Sequence, residues 1–243
     1  MRLRWDMHTH TTYSHGKNTI AEMVDRARAL GLEAIVISDH GRSHPMFGVK
    51  PEHFKQMRRE VDALNAKYDD IQVYLAVEAN IIDSQGQIDI GDEELTYCDW
   101  IYAGYHYGFT PPGIGEAFNF ALRGYLTRVF PFMRKRTEAI YTQAYLKMMD
   151  RYALKMITHP GDKLPVDIDA VAEKAAKRGV ILEINPRHGH LSAAELKTAM
   201  KYGGQFAVNS DAHSTEALGR VSAAWDIIRE AGLPMARVVN VSE

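Results

Sequence analysis

Three histidines fall within the first fifteen residues, His8, His10 and His15, and the first two flank one threonine at the end of a run carrying Met1, Leu3, Trp5 and Met7. In an extended strand, residues two apart share a face. The imidazoles of His8 and His10 would then stand side by side, which suits one divalent metal ion. Asp6 is close enough in sequence to fix a histidine tautomer as an outer hydrogen-bond partner. Taken alone, this stretch is equally a polar strand edge. The same event recurs along the chain, however, and the recurrence is what makes metal chemistry the expectation.

The elements that must position these residues are short apolar strands alternating with amphipathic helices. Strand one runs from about Leu3 to His8, and a helix follows from Ile20 to Leu30, with Asn18 or Thr19 as N-cap and Gly31 as the stop. Ala34 to Ser38 is a continuous apolar run of the kind a buried parallel strand needs, and it leads into Asp39-His40-Gly41. Pro51 opens a helix that reaches about Lys67. Strand three, Gln72 to Val77, ends on Glu78, and strand four, Trp100 to Ala103, ends before Gly104-Tyr105-His106. Strand five, Leu154 to Ile157, gives onto Thr158-His159-Pro160-Gly161, and strand six, Val180 to Ile184, gives onto Asn185-Pro186. Strand seven, Gln205 to Val208, precedes Asn209-Ser210-Asp211-Ala212-His213, and a last helix spans about Glu216 to Ala231.

Seven βα units imply parallel strands with right-handed crossovers, and that number favours a closed barrel over an open sheet. Barrel enzymes build their sites at the C-terminal ends of the strands. His8, His10, His15, His40, Glu78, His106, His159, Asp211 and His213 therefore converge on one rim, although they are scattered over most of the sequence. Residues 110 to 150 break the rhythm with a long, partly helical, basic and aromatic stretch after strand four, carrying Arg123, Arg128, Arg134, Lys135 and Arg136.

Composition bounds the rest. The chain has 243 residues, 46% hydrophobic and 25% charged, with a formal net charge of −2. That is ample for a globular core and gives no global pull toward nucleic acid. The one cysteine, Cys98, excludes an intrachain disulfide and a cysteine-rich zinc module. Arg2 and Arg4 are followed by histidines rather than the apolar core of a signal peptide, and no apolar run approaches a membrane span. A cytoplasmic enzyme is the resulting expectation.

His8-Thr9-His10 with His15, Ser38-Asp39-His40-Gly41, Glu78, His106, Thr158-His159-Pro160-Gly161 and Ser210-Asp211-Ala212-His213, in this order and each after a strand, resemble the motif set of the PHP (polymerase and histidinol phosphatase) superfamily. Val77-Glu78-Ala79-Asn80-Ile81 and Leu182-Glu183-Ile184-Asn185 look most like its small bacterial YcdX-type phosphatases. The resemblance covers nearly the whole chain and implies a single domain over residues 1–243. The implied fold is an α/β distorted seven-stranded TIM-like barrel with a helical insertion after strand four. It also implies three divalent metals, usually zinc, with manganese or iron as alternatives. Carried over, His8, His10, Glu78 and Asp211 would hold one metal, and Glu78 would bridge to a second held by His106 and His159. His15, His40 and His213 would hold the third. Imidazole and carboxylate ligands do not choose among these metals.

Such a cluster would hydrolyse a small phosphate monoester with a metal-bound hydroxide and no side-chain nucleophile. Glu78, Asp211 and His213 are its expected catalytic residues, with His213 or Asp39 protonating the leaving alcohol. Arg42, Arg187, His188, His190 and Arg220 sit in or near rim loops and are candidate phosphate contacts, or else solvated surface residues. Glu183 and Asn185 are candidate outer partners of the metal ligands, or simple barrel filling. Tyr105 and Tyr107 are candidate pocket walls, and His44 and His53 read as surface. The chain departs from the resemblance in residues 110 to 150, expected to form a lid or to pack on a second subunit, and in stopping soon after Asn240-Val241-Ser242. A metal-dependent nuclease is the alternative enzyme, favoured only by the basic stretch. A regulatory protein with structural metals is the non-enzyme alternative, disfavoured because closed structural sites need fewer ligands.

Overall fold

In the computed structural model, which describes residues 1–242, seven parallel strands are hydrogen-bonded in sequence order. They are β2 (Trp5–Thr9), β3 (Ala34–Ile37), β4 (Gln72–Asn80), β5 (Trp100–Gly104), β6 (Met156–Ile157), β7 (Ile181–Ile184) and β8 (Phe206–Val208). Two short outer strands, β1 (Arg2–Leu3) and β9 (Val241–Ser242), pair antiparallel. The expected first strand is thus broken at Arg4, because the amides of Arg4 and Trp5 both turn aside to the Asn240 carbonyl.

The sheet curls into a near-closed barrel. Between β8 and β2 the ladder is replaced by side chains. The Asn240 amide donates to the Trp5 and Val208 carbonyls at 2.9 and 2.6 Å and accepts from the Val208 N–H at 3.0 Å. Asn209 Oδ1 accepts from the Met7 N–H at 3.1 Å. Higher up, the His10 N–H reaches the Ala212 carbonyl at 2.8 Å. The seam is therefore held by asparagines, which can satisfy two backbones at once.

One residue from each strand fills the barrel: Met7, Val36, Ala76, Tyr102, Met156, Ile181 and Ala207. Trp5, Tyr74 and Trp100 stack beneath them, with ring centroids 5.8 and 4.4 Å apart, and form the floor. A second, larger core lies between the barrel and its helices α1 (Ile20–Ala29), α2 (Pro51–Lys67), α3 (Asp92–Leu95), α4 (Ile114–Glu116), α5 (Arg123–Val129), α6 (Arg134–Arg151), α7 (Ile168–Arg178), α8 (Ala193–Ala199) and α9 (Ser222–Ala231). Thr19 and Glu22 close a capping box on α1, and Pro51 occupies the first turn of α2, where its missing N–H costs nothing. The last helix starts later than its sequence pattern predicts, at Ser222 rather than Glu216. The buried Asp6 carboxylate takes the Gly219 N–H at 3.0 Å and keeps the preceding residues in turns. Among the described residues no helix is long and apolar enough to cross a membrane.

Candidate metal centre

The rim is built by the two-residue period of the strands acting on the barrel plug. Counting upward from Ala76, Ile181 and Ala207, residues of the same phase are Glu78, then Glu183 and Asn185, then Asn209 and Asp211. From Val36 and Tyr102 the count reaches His40 and His106. Two strands must be rephased. In β2 the register slips between Asp6 and Thr9, so three steps on β2 oppose two on β3. This bulge lets His8 and His10 point inward although Met7 also does. After β6, His159 takes a positive φ of 27° and turns its ring to the centre. Gly104 leaves the space, since a Cβ there would lie 2.4 Å from Thr158 Oγ1 and 3.3 Å from the His159 ring. Gly16 does the same for the first loop, whose closure over the His10 carbonyl brings in His15.

Glu78 stands at the centre. It lies within β4, which runs two residues past it instead of ending on it, because β5 continues the ladder to the Asn80–Gly104 pair. Its Oε1 is 2.9 Å from His159 Nε2 and 3.3 Å from the Nε2 atoms of His106 and His8. Its Oε2 is 3.1 Å from His40 Nδ1 and 3.5 Å from His10 Nε2. Asp211, in the left-handed region at φ 51°, comes within 3.3 Å of His10 Nε2. His10, His15, His40 and His213 form one group of converging donors, His8, His10 and Asp211 another, and His40, Glu78 and His106 a third. Eight of the nine expected ligands fall in these groups, with His10 and His40 each in two, and the ninth, His159, joins through its 2.9 Å contact with Glu78 Oε1.

The chemistry of this donor set fits cations. His8 Nδ1 and Glu183 Oε1 are 2.7 Å apart, while His8 Nε2 faces His10 Nε2 at 3.1 Å. Buried Glu78 Oε2 and the Nδ1 atoms of His10, His15 and His106 have no hydrogen-bond partner. Burial opposes charge on His8, yet Glu78, Glu183 and Asp211 hold its pKa well above the usual imidazole value. The field that keeps a proton there also favours a metal ion in its place. Burial likewise opposes charge on Glu78 and Asp211. The surrounding imidazoles, His106 and His8 for Glu78 and His8 and His10 for Asp211, outweigh it and hold both carboxyls well below their usual range. Burial and the neighbouring His40 and His213 push His15 down to about 3, leaving a neutral imidazole able to ligate.

An outer layer fixes the donors. Glu183 Oε2 accepts from the His159 N–H at 2.8 Å and from Asn185 at 3.1 Å, and Asn209 donates to Glu183 Oε1 at 2.9 Å. Asn185 also reaches Asp211 at 3.3 Å. Asn209 escaped the sequence reading, although its position two before Asp211 carried the signal. Asp6 is a correction. Although its spacing suits His8, its carboxylate is taken by the Ser210 N–H at 3.1 Å, the Ser210 hydroxyl and Gly219, and it touches no imidazole. Asp39 is fully buried and held by Thr11 and Ser14, so it does not open onto the cleft as a proton donor would.

The candidate substrate contacts divide. Arg187 and Arg220, with Lys17, line a cavity of about 470 Å3 bordered by Asp211 and His213. His188 Nε2 is 3.0 Å from Asp211 Oδ2 and its Nδ1 is 3.1 Å from Asp162. Arg42 faces away and pairs with Glu94 at 3.2 Å. His190 opens onto a different cavity and lies 3.7 Å from Glu195. A cleft of about 240 Å3 lies over His40, Glu78 and His106, walled by Tyr107, Phe47 and Lys163. His44, expected at the surface, also lines it, its Nδ1 held by the Phe47 N–H at 3.0 Å. Tyr105 is buried in the core instead.

Residues 6–187 match the PHP domain family. The chain belongs to the PHP family. It is 32% identical over 252 residues to a "probable phosphatase" of Enterobacter sp. strain 638, covering 98% of this chain and 89% of that protein. Against the "probable phosphatase YcdX" of Escherichia fergusonii it is 30% identical over 250 residues, covering 98% and 89%. Among solved structures, the histidinol phosphate phosphatase of Lactococcus lactis, complexed with zinc, L-histidinol and phosphate, aligns with a TM-score of 0.61. That alignment has 17% identity and covers 96% of this chain and 95% of the other, and it shows a shared fold.

Proposed function

We infer that this PHP-family chain is a metal-dependent phosphatase that hydrolyses small phosphate monoesters. The observation that carries the reading is Glu78, a buried carboxylate with five imidazole nitrogens within 3.5 Å of its two oxygens. Hydrogen bonds leave this arrangement incomplete, since Glu78 Oε2 has no partner, and buried charge requires compensation. The same family in curated relatives carries the name phosphatase over nearly the full chain. We take residues 1–243 as one domain.

Our assignment places His8, His10, Glu78 and Asp211 on one ion, Glu78, His106 and His159 on a second, and His15, His40 and His213 on a third. Zinc is the first choice, with manganese or iron as alternatives. The contact of His40 with Glu78 and of His10 with the His15 group supports sharing of these two rings between neighbouring ions. Divalent ions there would acidify a water and neutralise phosphate oxygens. The protein's own contribution is positioning. Glu183 holds His8 and the His159 backbone, and Asn185 with His188 holds Asp211. Arg187 and Arg220, in the cavity beside Asp211 and His213, are the phosphate contacts we assign; the Arg187 guanidinium also donates to the Asp211 carbonyl at 2.9 Å and lies 3.3 Å from its carboxylate, which a phosphate would have to share. His213, also expected as the proton donor to the leaving alcohol, is kept here as a ligand only: burial and the neighbouring Arg187 push it down to about 4, so it carries no proton at neutral pH, and the leaving oxygen would be stabilised by the ions.

A single in-line displacement by water inverts the configuration at phosphorus. Hydrolysis of a chiral phosphate monoester should therefore give the inverted product. Retention would require two displacements and a covalent phosphoenzyme, and would overturn this reading.

A further inference from the structure

A cavity of about 430 Å3 lies between α5, the start of α6 and the loop after β6, lined by Arg128, Arg134, Lys163 and His190, with Asp162 as its one carboxylate among the described residues. Its chemistry differs from that of the metal rim. Asp162 lies 2.5 Å from Lys163 and 3.1 Å from His188, whereas neither Arg128, which stacks on Tyr107, nor Arg134 has a carboxylate within ion-pairing distance among the described residues. Between Glu116 and Glu138 the sequence holds five basic residues and no acidic one. Cations this close without partners raise the local positive potential, which favours an anion there.

Arg128 is also set in place. Its guanidinium carbon lies 4.6 Å from the centroid of the Tyr107 ring. A guanidinium stacked on an aromatic face keeps the N–H groups at its edge free, in the plane that grips a carboxylate or phosphate with two parallel hydrogen bonds. Tyr107 is itself pinned by its hydroxyl, which donates to the Lys163 carbonyl at 2.8 Å. Tyr107 follows His106, and both Tyr107 and Lys163 wall the cleft over Glu78. An anion on Arg128 would thus sit one aromatic ring away from the metal rim.

We propose that this cavity is a second anion subsite, which selects phosphate monoesters whose far end carries a carboxylate or a second phosphate. The proposal rests on the reading that the rim takes a phosphate monoester. A charge-assisted hydrogen bond to such a tail is worth on the order of a ten- to hundredfold gain in affinity.

The test uses the metal-loaded protein and three phosphonates that it cannot hydrolyse: butylphosphonate, phosphonobutyrate and butane-diphosphonate. Calorimetry should give the carboxylate- or phosphate-tailed ligand an affinity about ten- to a hundredfold above the plain one. Which tail gains more identifies the source of the anion. Arg128→Gln and Arg134→Gln should remove that gain and leave butylphosphonate binding and p-nitrophenyl phosphate turnover as in the wild type. Arg128→Lys, which keeps the charge without the fork, should restore only part of it. Equal affinity for all three ligands in the wild type, or equal weakening of all three in the variants, would overturn the subsite. Turnover of p-nitrophenyl phosphate reports on the rim separately. If it is absent, the rim reading fails, and the order of the three affinities still decides the subsite.

Discussion

The rim of the barrel and the helical stretch that follows β5 treat charge and apolar surface in opposite ways. At the rim, Glu78, Glu183, Asp211, His8 and His10 are almost wholly buried and crowded together, with Glu78 Oε2 and His10 Nδ1 lacking a hydrogen-bond partner. In the helical stretch, Ile114, Phe118, Val129 and Phe132 are 62–83% exposed, and the arginines lack carboxylate partners. The rim is over-determined from within: remove one donor and the others are left charged and buried. The helical stretch leaves several apolar side chains and most of its arginines to solvent. On the readings proposed above, the first set of residues builds the reaction centre and the second chooses what reaches it.

Substitution at the centre should break that contrast most severely. Glu78→Ala removes the carboxylate shared by five imidazoles. We expect turnover of p-nitrophenyl phosphate to fall on the order of a thousandfold or more, with a larger loss of bound metal than any single histidine variant suffers. Equal metal loss across alanine variants of all nine donors would deny Glu78 its bridging place. Glu183→Gln should act more mildly, because the residue positions donors without being one. Losing its charge at His8 should weaken metal affinity about ten- to a hundredfold, read by chelator competition, while kcat at saturating metal largely recovers. A kcat that stays low at saturating metal would show that Glu183 does more than hold His8. As the contrast, Phe132→Ser on the exposed stretch should shift stability by no more than about 0.5 kcal/mol and leave the metal content unchanged.

The sequence carried most of the rim because strand ends repeat one pattern. His40, His106 and Asp211 follow from counting in twos along apolar runs, and that count needs no long-range information. The extent of the strands was less legible, because distant pairing decides it. The count reaches Glu78, but β4 continues past it because β5, more than twenty residues away, extends the ladder to Gly104. The bulge in β2 and the positive φ of His159 rephase two strands and leave no mark in composition. Asp6 and Asp39 have the residue type and spacing of active-site carboxylates, but hydroxyls and amides from other segments occupy them first. The closure of the barrel by Asn240 was likewise hidden, since an asparagine near the end of a chain has many bland uses. The Arg128–Tyr107 stack joins residues from two elements that sequence spacing does not connect.

The central claim is that nine side chains drawn from seven segments hold divalent metal. Elemental analysis of the purified, dialysed protein tests it most directly. We predict two to three equivalents of transition metal per chain, falling when Glu78 is replaced by alanine. Less than one equivalent in the wild type, even after reconstitution with zinc, manganese or iron, would contradict the account.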